Sequence, residues 1–474
     1  MVDAGADYGA SGPPSVTFIV LSFARPANIQ RIVDAILCAA PHYRVLVCNN
    51  QPNIDIGPYV RCDDARLDLI QRKDKWGPIS RYHLARAASG ELFVSIDDDV
   101  FLTPAQVNLL VGCLVADPAR AHGVWGEIFQ AEGDRMVIQS GIHGQTCDVS
   151  VLNCVYAFTR DHVERVFGFL RALGMESLKE VGPGDDILIS RAATLPPVCH
   201  DLGAIEFCPS ASQEGVARFR SQNFTARRAR LWRRLQQLES VLDTPENGNE
   251  IESAALGSLD FRRHLLRINS IISGAVARGE GVFQCEGNLF YHHEIAYRVD
   301  APPDASRMHK RKNLILALRG ADAYLEVGFN AGHSALLALS LFPGLQYIGV
   351  DLHDHPYTKD CAAYLTEAFG RKFQLLSGDS RELLPLLAAQ SKNHHLDLIH
   401  IDGGHDRETL RQDIENTLRL SDDYSRILVD DLNLPDIRTT IIDFLRAGRL
   451  RQSPPPPGWS GDEQALLAPN VGAV

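Results

Sequence analysis

Paired cysteines are missing from this sequence. Its ten Cys are scattered singly along 474 residues, with no Cys-x-x-Cys anywhere. That spacing argues against a structural zinc knot, and a chain of this length buries enough apolar surface to fold without a disulfide framework. The cysteines read as small buried residues in a reducing compartment, so the expected location is cytoplasmic. Long hydrophobic runs are missing too. No apolar stretch reaches the roughly 18 residues that span a bilayer. The first fifteen residues carry neither the basic flank nor the apolar segment of a signal peptide, and none is expected. Basic residues are in deficit: 47 Lys and Arg stand against 59 Asp and Glu, a net charge of −12. Bulk nucleic-acid binding is thereby disfavoured. There is no internal repeat and no Gly-x-Gly-x-x-Gly dinucleotide fingerprint.

What is present is βαβ rhythm, in two separate stretches. From Pro14 to about Phe207, apolar runs (Val16–Leu21, Tyr43–Cys48, Glu91–Ile96) alternate with helical pattern such as Asn28–Ala39, which predicts a mostly parallel sheet. The rhythm then lapses. Gln213–Leu242 has helical period with many Arg, Thr244–Glu252 is turn-rich, and Leu259–Ala277 again reads as helix. It restarts with strands at Ala323–Val327, Gln346–Asp351, Phe373–Leu376, Leu396–Ile401 and Arg426–Val429. Helices are expected between them, at Ser334–Leu341, Thr358–Phe369, Arg381–Ala389 and Arg407–Leu420. Pro454–Pro457 predicts a semi-rigid tail. The fold class is therefore α/β, with two doubly wound Rossmann-like domains at 14–209 and 313–450. A helical segment at 210–312 joins them, and a Pro-rich tail at 451–474 ends the chain.

The strand Leu92–Ile96 runs into Asp97-Asp98-Asp99. Three carboxylates at one strand end repel one another unless a cation sits there, and a hard divalent ion is the natural one. A solvated turn with helix-capping aspartates before Thr103-Pro104 is the other reading. Three further segments accompany the triplet in order: Val16–Leu21 followed by Ser22-Phe23-Ala24-Arg25, a strand ending in Asn49-Asn50, and Gly182-Pro183-Gly184-Asp185-Asp186. Together they resemble the nucleotide-sugar glycosyltransferases of GT-A fold, most closely the exostosin-type branch. The resemblance implies that Asp97 and Asp98, with Asn49, Asn50 and Arg81, contact the sugar nucleotide. It implies Asp99 as ligand to Mn²⁺ or Mg²⁺, His200 as a third ligand, and Asp185 or Asp186 as the acceptor-side carboxylate. As capping groups, Asp185 and Asp186 would simply open the next helix.

The second centre is Glu326-Val327-Gly328-Phe329-Asn330-Ala331-Gly332-His333-Ser334, a strand, a glycine-bearing loop and a helix start. One strand later Asp351 closes a strand, and Gly378-Asp379-Ser380 follows the next. In that order these signals resemble class I S-adenosylmethionine-dependent methyltransferases. The resemblance implies Glu326, Gly328, Gly332 and Ser334 at the methionine end of the cofactor, Asp351 on the ribose, and Asp379 and Ser380 near the adenine. Asp402, Asp430 and Asp431 end the fourth and fifth strands and can converge on one cation. That arrangement is similar to Mg²⁺-dependent sugar O-methyltransferases, and it implies His405, three residues after Asp402, as the base.

The expectation is a bifunctional enzyme. It would transfer a sugar from a nucleotide-sugar donor, UDP-linked by resemblance, to a glycan acceptor, and O-methylate a sugar hydroxyl with S-adenosylmethionine. The alternative is that one half is catalytic and the other a binding or scaffold module. The Arg-rich stretch around Arg218, Arg227, Arg228 and Arg234 reads as a solvated spacer helix. Its charge leaves open a lipid-linked acceptor and peripheral contact at the inner face of a membrane.

Overall fold

A computed structural model describes residues 15–61, 63–73, 77–132, 135–175, 181, 184–212, 224–243, 248–279, 289–291, 299–390 and 396–470. Residues 1–14, on which the signal-peptide expectation rests, and Gly182-Pro183 and Arg218 lie outside these residues. The chain forms two compact units: Met1–Leu170 with Ser177–Gln236, and Arg171–Glu176 with Gln237–Val474.

In the first unit the strands are β1 (Val16–Ser22), β2 (Tyr43–Asn49), β3 (Leu67–Gln71), β4 (Leu92–Asp97), β5 (Val100–Phe101) and β6 (His122–Gly123). They continue as β7 (Gly126–Glu132), β8 (Arg135–Ile142), β9 (Cys147–Asp148), β10 (Val151–Leu152), β11 (Val155–Thr159), β12 (Val198–Cys199) and β13 (Glu206–Phe207). The main sheet has the order β3-β2-β1-β4-β11-β6-β12-β9. Strands β1 to β4 are mutually parallel, and all seven residues of β1 are buried, as expected of an apolar run covered on both faces. The helix Ile29–Ala39 turns Ile29, Ile32, Val33 and Ile36 inward at helical spacing. Pro104–Ala116 starts on a capping box between Thr103 and Gln106.

The sheet is less parallel than expected. Strand β11 runs antiparallel to β4, and β7, β8 and β10 form a separate antiparallel sheet. These strands follow no βαβ pattern, because hairpin partners need no crossover helix.

The second unit contains β14 (Ala323–Val327), β15 (Gln346–Asp351), β16 (Phe373–Ser377), β17 (Leu398–Ile401), β18 (Arg426–Val429), β19 (Leu450–Gln452) and β20 (Ala465–Pro469). They order as β16-β15-β14-β17-β18-β20-β19. Five of them are parallel and match the expected strands; β20 and β19 add an antiparallel edge. This corrects the expectation that the fold ends near 450. Leu466 and Leu467 are buried beside β18, and Pro454–Pro457 lie in the connection that brings β20 back. Proline removes ladder donors only where it sits in a strand.

The segment at 210–312 is not a separate linker. In the first unit, Leu231, Trp232 and Leu235 of the helix Phe224–Asp243 are buried. The helices Gly248–Gly257 and Leu259–Ala277 instead join the core of the second unit, where Phe261, Leu265, Ile268 and Ile272 pack with Leu314, Leu336 and Tyr347. Among the described residues, no helix is long and apolar enough to cross a membrane.

Candidate functional sites

The carboxyl ends of β1, β2 and β4 open into a cavity of about 920 Å³. Asp97, Asp98, Asp99, Asn50, Arg81, Asp185 and Asp186 all line it, so the first unit gathers most of its candidate residues. Their roles differ. Asp98 Oδ2 accepts hydrogen bonds from the backbone amides of Phe23, Ala24 and Arg25 at 2.8, 3.1 and 3.2 Å, and its Oδ1 takes Arg25 Nη1 at 2.8 Å. Both oxygens hold the loop after β1, while Asp98 remains in the lining of the cavity.

Asp97 and Asp99 keep acceptor capacity. Burial, opposed by Arg81 and reinforced by the neighbouring acids, raises Asp97 to about 6. Asp97 receives Arg81 Nη2 at 2.9 Å. Burial also raises Asp99, whose Oδ1 is buried and has no hydrogen-bond partner among the described residues. One oxygen of each and the Cys154 sulfur lie within 4.8 Å of one another. Cys154 was not anticipated; it follows no motif and sits at φ 64°, a left-handed conformation uncommon for cysteine.

Arg81 is almost fully buried and already engaged. It donates to Pro78 O, Ser95 Oγ and Asp97, and its Nε lies 3.3 Å from Asp185 Oδ2. Rather than a mobile phosphate clamp, it is a fixed cation between two acids. Asn50 Nδ2 donates to Gly77 O and Ser80 Oγ at the cavity wall. Asn49 is corrected: its amide bonds Gln51 and Gln71, and it does not line the cavity.

Asp185 and Asp186 begin the helix Asp185–Ala192. Both Asp186 oxygens are 2.7 Å from Arg228 Nη1, and Asn153 Nδ2 donates to Oδ2 at 2.8 Å. Arg228 Nη2 reaches Glu127 at 2.5 Å. The expected spacer helix therefore supplies a cavity wall, through Phe224, Thr225 and Arg228. His200 lies apart from the strand-end acids. Its Nε2 pairs with His122 Nδ1 at 2.9 Å, outside the cavity lining, and burial lowers it to about 4.

In the second unit the loop after β14 is shaped by two glycines. Gly328 has φ 98°, and a Cβ there would fall 2.1 Å from the Asp402 carbonyl oxygen. Gly332 has φ 78°, and a Cβ would strike the Phe329 ring at 2.5 Å. Asp351, at the end of β15, fixes this loop by accepting from Asn330 N and His353 N, each at 2.7 Å. Ser334 is buried in the first turn of the helix His333–Leu341.

Glu326 sits at the centre of a buried hydrogen-bond cluster. It is fully buried and accepts from Tyr324 at 3.0 Å, from Tyr347, and from His400 at 3.2 Å. Tyr324 lies two residues before it on the same face of the strand. Ser380 donates to Asp413 at 2.6 Å, and Asp379 is paired with Arg381.

The strand-end acids do converge. Lys310, which no sequence signal marked, lies 2.6 Å from Asp430, 2.9 Å from Asp431 and 3.6 Å from Glu463. Burial would lower this lysine, but Asp430 and Asp431 raise it above its ordinary value. His405 Nε2 is 3.1 Å from Asp431 Oδ2. Ligand atoms of Asp402, His405 and Asp431 lie within 4.8 Å of one another. Burial and then the Asp430 charge push Asp402 upward, and its Oδ1 has no hydrogen-bond partner among the described residues. Beneath them, burial would lower His400, yet Asp430 and Glu326 raise it to about 10.

Among solved structures, the chain is similar to an apo TDP-rhamnose 3'-O-methyltransferase of calicheamicin biosynthesis. The identity is 18%, over 35% of this chain and 80% of that one, with a TM-score of 0.30. An O-methyltransferase from Bacillus cereus, in complex with SAH, is 17% identical over 44% and 90%, at TM-score 0.30. The O-methyltransferase TomG from Streptomyces achromogenes, involved in tomaymycin synthesis, is 19% identical over 36% and 82%, at TM-score 0.28. No curated protein sequence matches the chain. Residues 325–432 of the second unit, from within β14 to just past the acids after β18, match a family model described as a methyltransferase domain.

Proposed function

We propose that this protein is a bifunctional transferase, with an S-adenosylmethionine-dependent sugar O-methyltransferase in the second unit and a nucleotide-sugar glycosyltransferase in the first. For the methyl-transfer half, the supporting observation is the unpartnered Asp402 oxygen beside Asp431 and His405 at neighbouring strand ends. A buried carboxylate that resists ionisation and lacks a donor suits a divalent cation such as Mg²⁺, with Asp402, Asp431 and His405 as the residues able to hold or face it. Such an ion would orient an acceptor hydroxyl and lower its pKa. The cofactor also fits. The positive φ of Gly328 and Gly332 shapes a tight loop at the carboxyl end of β14, and Asp351 presents a carboxylate at the next strand end. When bound, S-adenosylmethionine would supply an electrophilic methyl group for the acceptor oxygen, the carbon–sulfur bonding pair remaining on sulfur. The released proton would pass to the His405 imidazole, which Asp431 holds through Nε2 at 3.1 Å.

For the glycosyltransfer half, the support is the cavity at the carboxyl ends of β1, β2 and β4. Asp97, Asp99 and Cys154 cluster there, and the Asp99 oxygen without a donor is suited to Mn²⁺ or Mg²⁺. A cation there would stabilise charge on a departing nucleoside diphosphate. Arg81 and Arg228 hold Asp97, Asp185 and Asp186 in place around the reacting centre. In the transfer the acceptor oxygen bonds to the anomeric carbon. The bond from that carbon to the diphosphate breaks with its electron pair on the leaving group, and the hydroxyl proton passes to that diphosphate.

The test is product mass spectrometry with nucleotide sugars, acceptor glycans and S-adenosylmethionine. Asp99→Ala should lose the added sugar and keep methylation of a supplied glycan; Asp402→Ala should do the reverse. No methyl in any product with Mg²⁺ present would refute the second half, and no sugar transfer with Mn²⁺ the first.

A further inference from the structure

The metal-cluster corner of the first unit's cavity accounts for only part of its lining. A second wall is built by Trp125 just before β7, Ile138 of β8, Phe207 of β13 and Phe224 at the start of the helix Phe224–Asp243. We propose that this aromatic wall is the acceptor subsite and that it takes a neutral carbohydrate, with a pyranose ring resting against Trp125. The proposal builds on the glycosyltransferase reading of this unit.

Three observations support it. The first is how the aromatic group is built. Trp125 stacks on His143 with ring centroids 4.2 Å apart and planes at 11°, and it meets Phe207 at 5.0 Å and 74°. The indole is thus held rigid by other rings, yet it is only partly buried and still lines the cavity. A fixed indole offers a large contact surface at little entropic cost.

The second is the polar chemistry beside those rings. Asn153 lines the same cavity, and its Nδ2 is committed to Asp186. Its Oδ1 is a buried acceptor with no hydrogen-bond partner among the described residues. Such an atom is costly to leave unmet, and a ligand hydroxyl meets it. Glu127 and Ser140, bonded to each other at 3.1 Å, add further hydroxyl partners on the hairpin. Charge decides between neutral and anionic ligands. Arg228, the cation of this wall, already faces both Asp186 and Glu127, so no surplus positive charge awaits a phosphate or carboxylate.

The third is space. At about 920 Å³ the cavity lies near the top of the range, roughly 300–1,000 Å³, seen for single small-molecule sites. It has room for a sugar ring beyond a donor.

The experiment uses the full chain with UDP, GDP or TDP and Mn²⁺. Binding is measured by saturation-transfer NMR for methyl glycosides of hexoses, 6-deoxyhexoses and N-acetylhexosamines, with sugar 6-phosphates as anionic probes. Nucleotide affinity is measured separately by calorimetry. At least one neutral glycoside should bind. Trp125→Ala should weaken it about tenfold and Trp125→Phe about threefold or less, with nucleotide affinity within about twofold of the parent. Ser140→Trp, at an exposed wall position outside the core, should block the glycoside by bulk even if Trp125→Ala misfolds. Glycoside binding that is indifferent to both Trp125→Ala and Ser140→Trp overturns the proposal, as does binding of the phosphorylated sugars alone. If nucleotide binds and no glycoside does, the subsite falls and the glycosyltransferase reading survives. If a Trp125-dependent glycoside binds and no nucleotide does, the subsite stands and that reading falls. If neither binds, both fall.

Discussion

The two units solve the same electrostatic problem with different cations. In the first, strand-end and helix-start acids are balanced by arginines from three places: Arg25 after β1, Arg81 in the helix Ser80–Ala87, and Arg228 in the helix Phe224–Asp243. In the second, the acids after β17 and β18 meet Lys310 and two histidines, His400 and His405. Arginine stays charged at any working pH and grips carboxylates bidentately, whereas histidine can change charge near neutrality. The cations of the first cavity are thereby fixed, and its titratable group is Asp97, raised by burial to about 6. In the second, Asp430 and Glu326 keep His400 charged up to about pH 10.

The largest expected effect comes from removing a balancing cation. Lys310→Met should destabilise the second unit by about 3–5 kcal/mol, and Arg228→Met the first by a similar amount, because each strands two buried or half-buried carboxylates. Hydrogen exchange resolved by mass spectrometry should localise each loss to its own unit. Millimolar Mg²⁺ should restore part of the Lys310→Met loss if those acids can share a divalent ion. An identical loss in both units from either variant would break the comparison.

Next come the two centres themselves. Asp402→Ala and Asp99→Ala should each cost on the order of 10²–10³ in their own transfer rate, measured in single-turnover assays, and less than twofold in the other. A smaller change follows at Gly328. Gly328→Ala forces a Cβ against the Asp402 carbonyl at a left-handed φ, and should lower stability by roughly 2–3 kcal/mol, read by denaturant melts of the second unit. S-adenosylmethionine affinity should fall with it.

The last contrast is in pH dependence, where the effect per pH unit is the smallest of these and the units diverge in sign. His400 titrates at about 10 in the folded second unit, above its ordinary 6.5. Its stabilisation is complete below pH 6.5 and disappears as pH rises towards 10, with a slope of at most about 1.4 kcal/mol per pH unit. His162 and His200 in the first unit are lowered by burial to about 4. Their contribution is complete above 6.5 and disappears as pH falls towards 4. His333 adds an acid limb to the second unit as well, lowered by burial to about 3, so the alkaline limb is the distinguishing one. His400→Gln in metal-free buffer should flatten that limb; an unchanged slope between pH 7 and 10 would show that His400 is not its source.

The predicted strands and helices of the second unit correspond closely to those observed, because parallel strands buried on both faces read as short apolar runs between amphipathic helices. The antiparallel edge was invisible. Leu450–Gln452 has three residues, and the prolines between it and β20 imitate an ending. In the first unit the β7–β8 hairpin escaped for a similar reason, since it carries no crossover helix.

By itself the sequence determined where carboxylates would gather: an apolar strand that ends in Asp97-Asp98-Asp99 or Asp430-Asp431 must deliver those groups to the carboxyl edge of its sheet. It also marked the Gly328 loop, because only glycine accepts that backbone. Which carboxylate is spent on structure and which keeps a lone pair free was decided only by the tertiary fold. Asp98 faces three amides and Arg25, while Asp99 Oδ1 has no hydrogen-bond partner among the described residues. Lys310 stands 120 residues before Asp430 in the chain and 2.6 Å from it in space. No local pattern records such a pairing, because its energy depends on distance and burial, and both are set by the packing of remote segments.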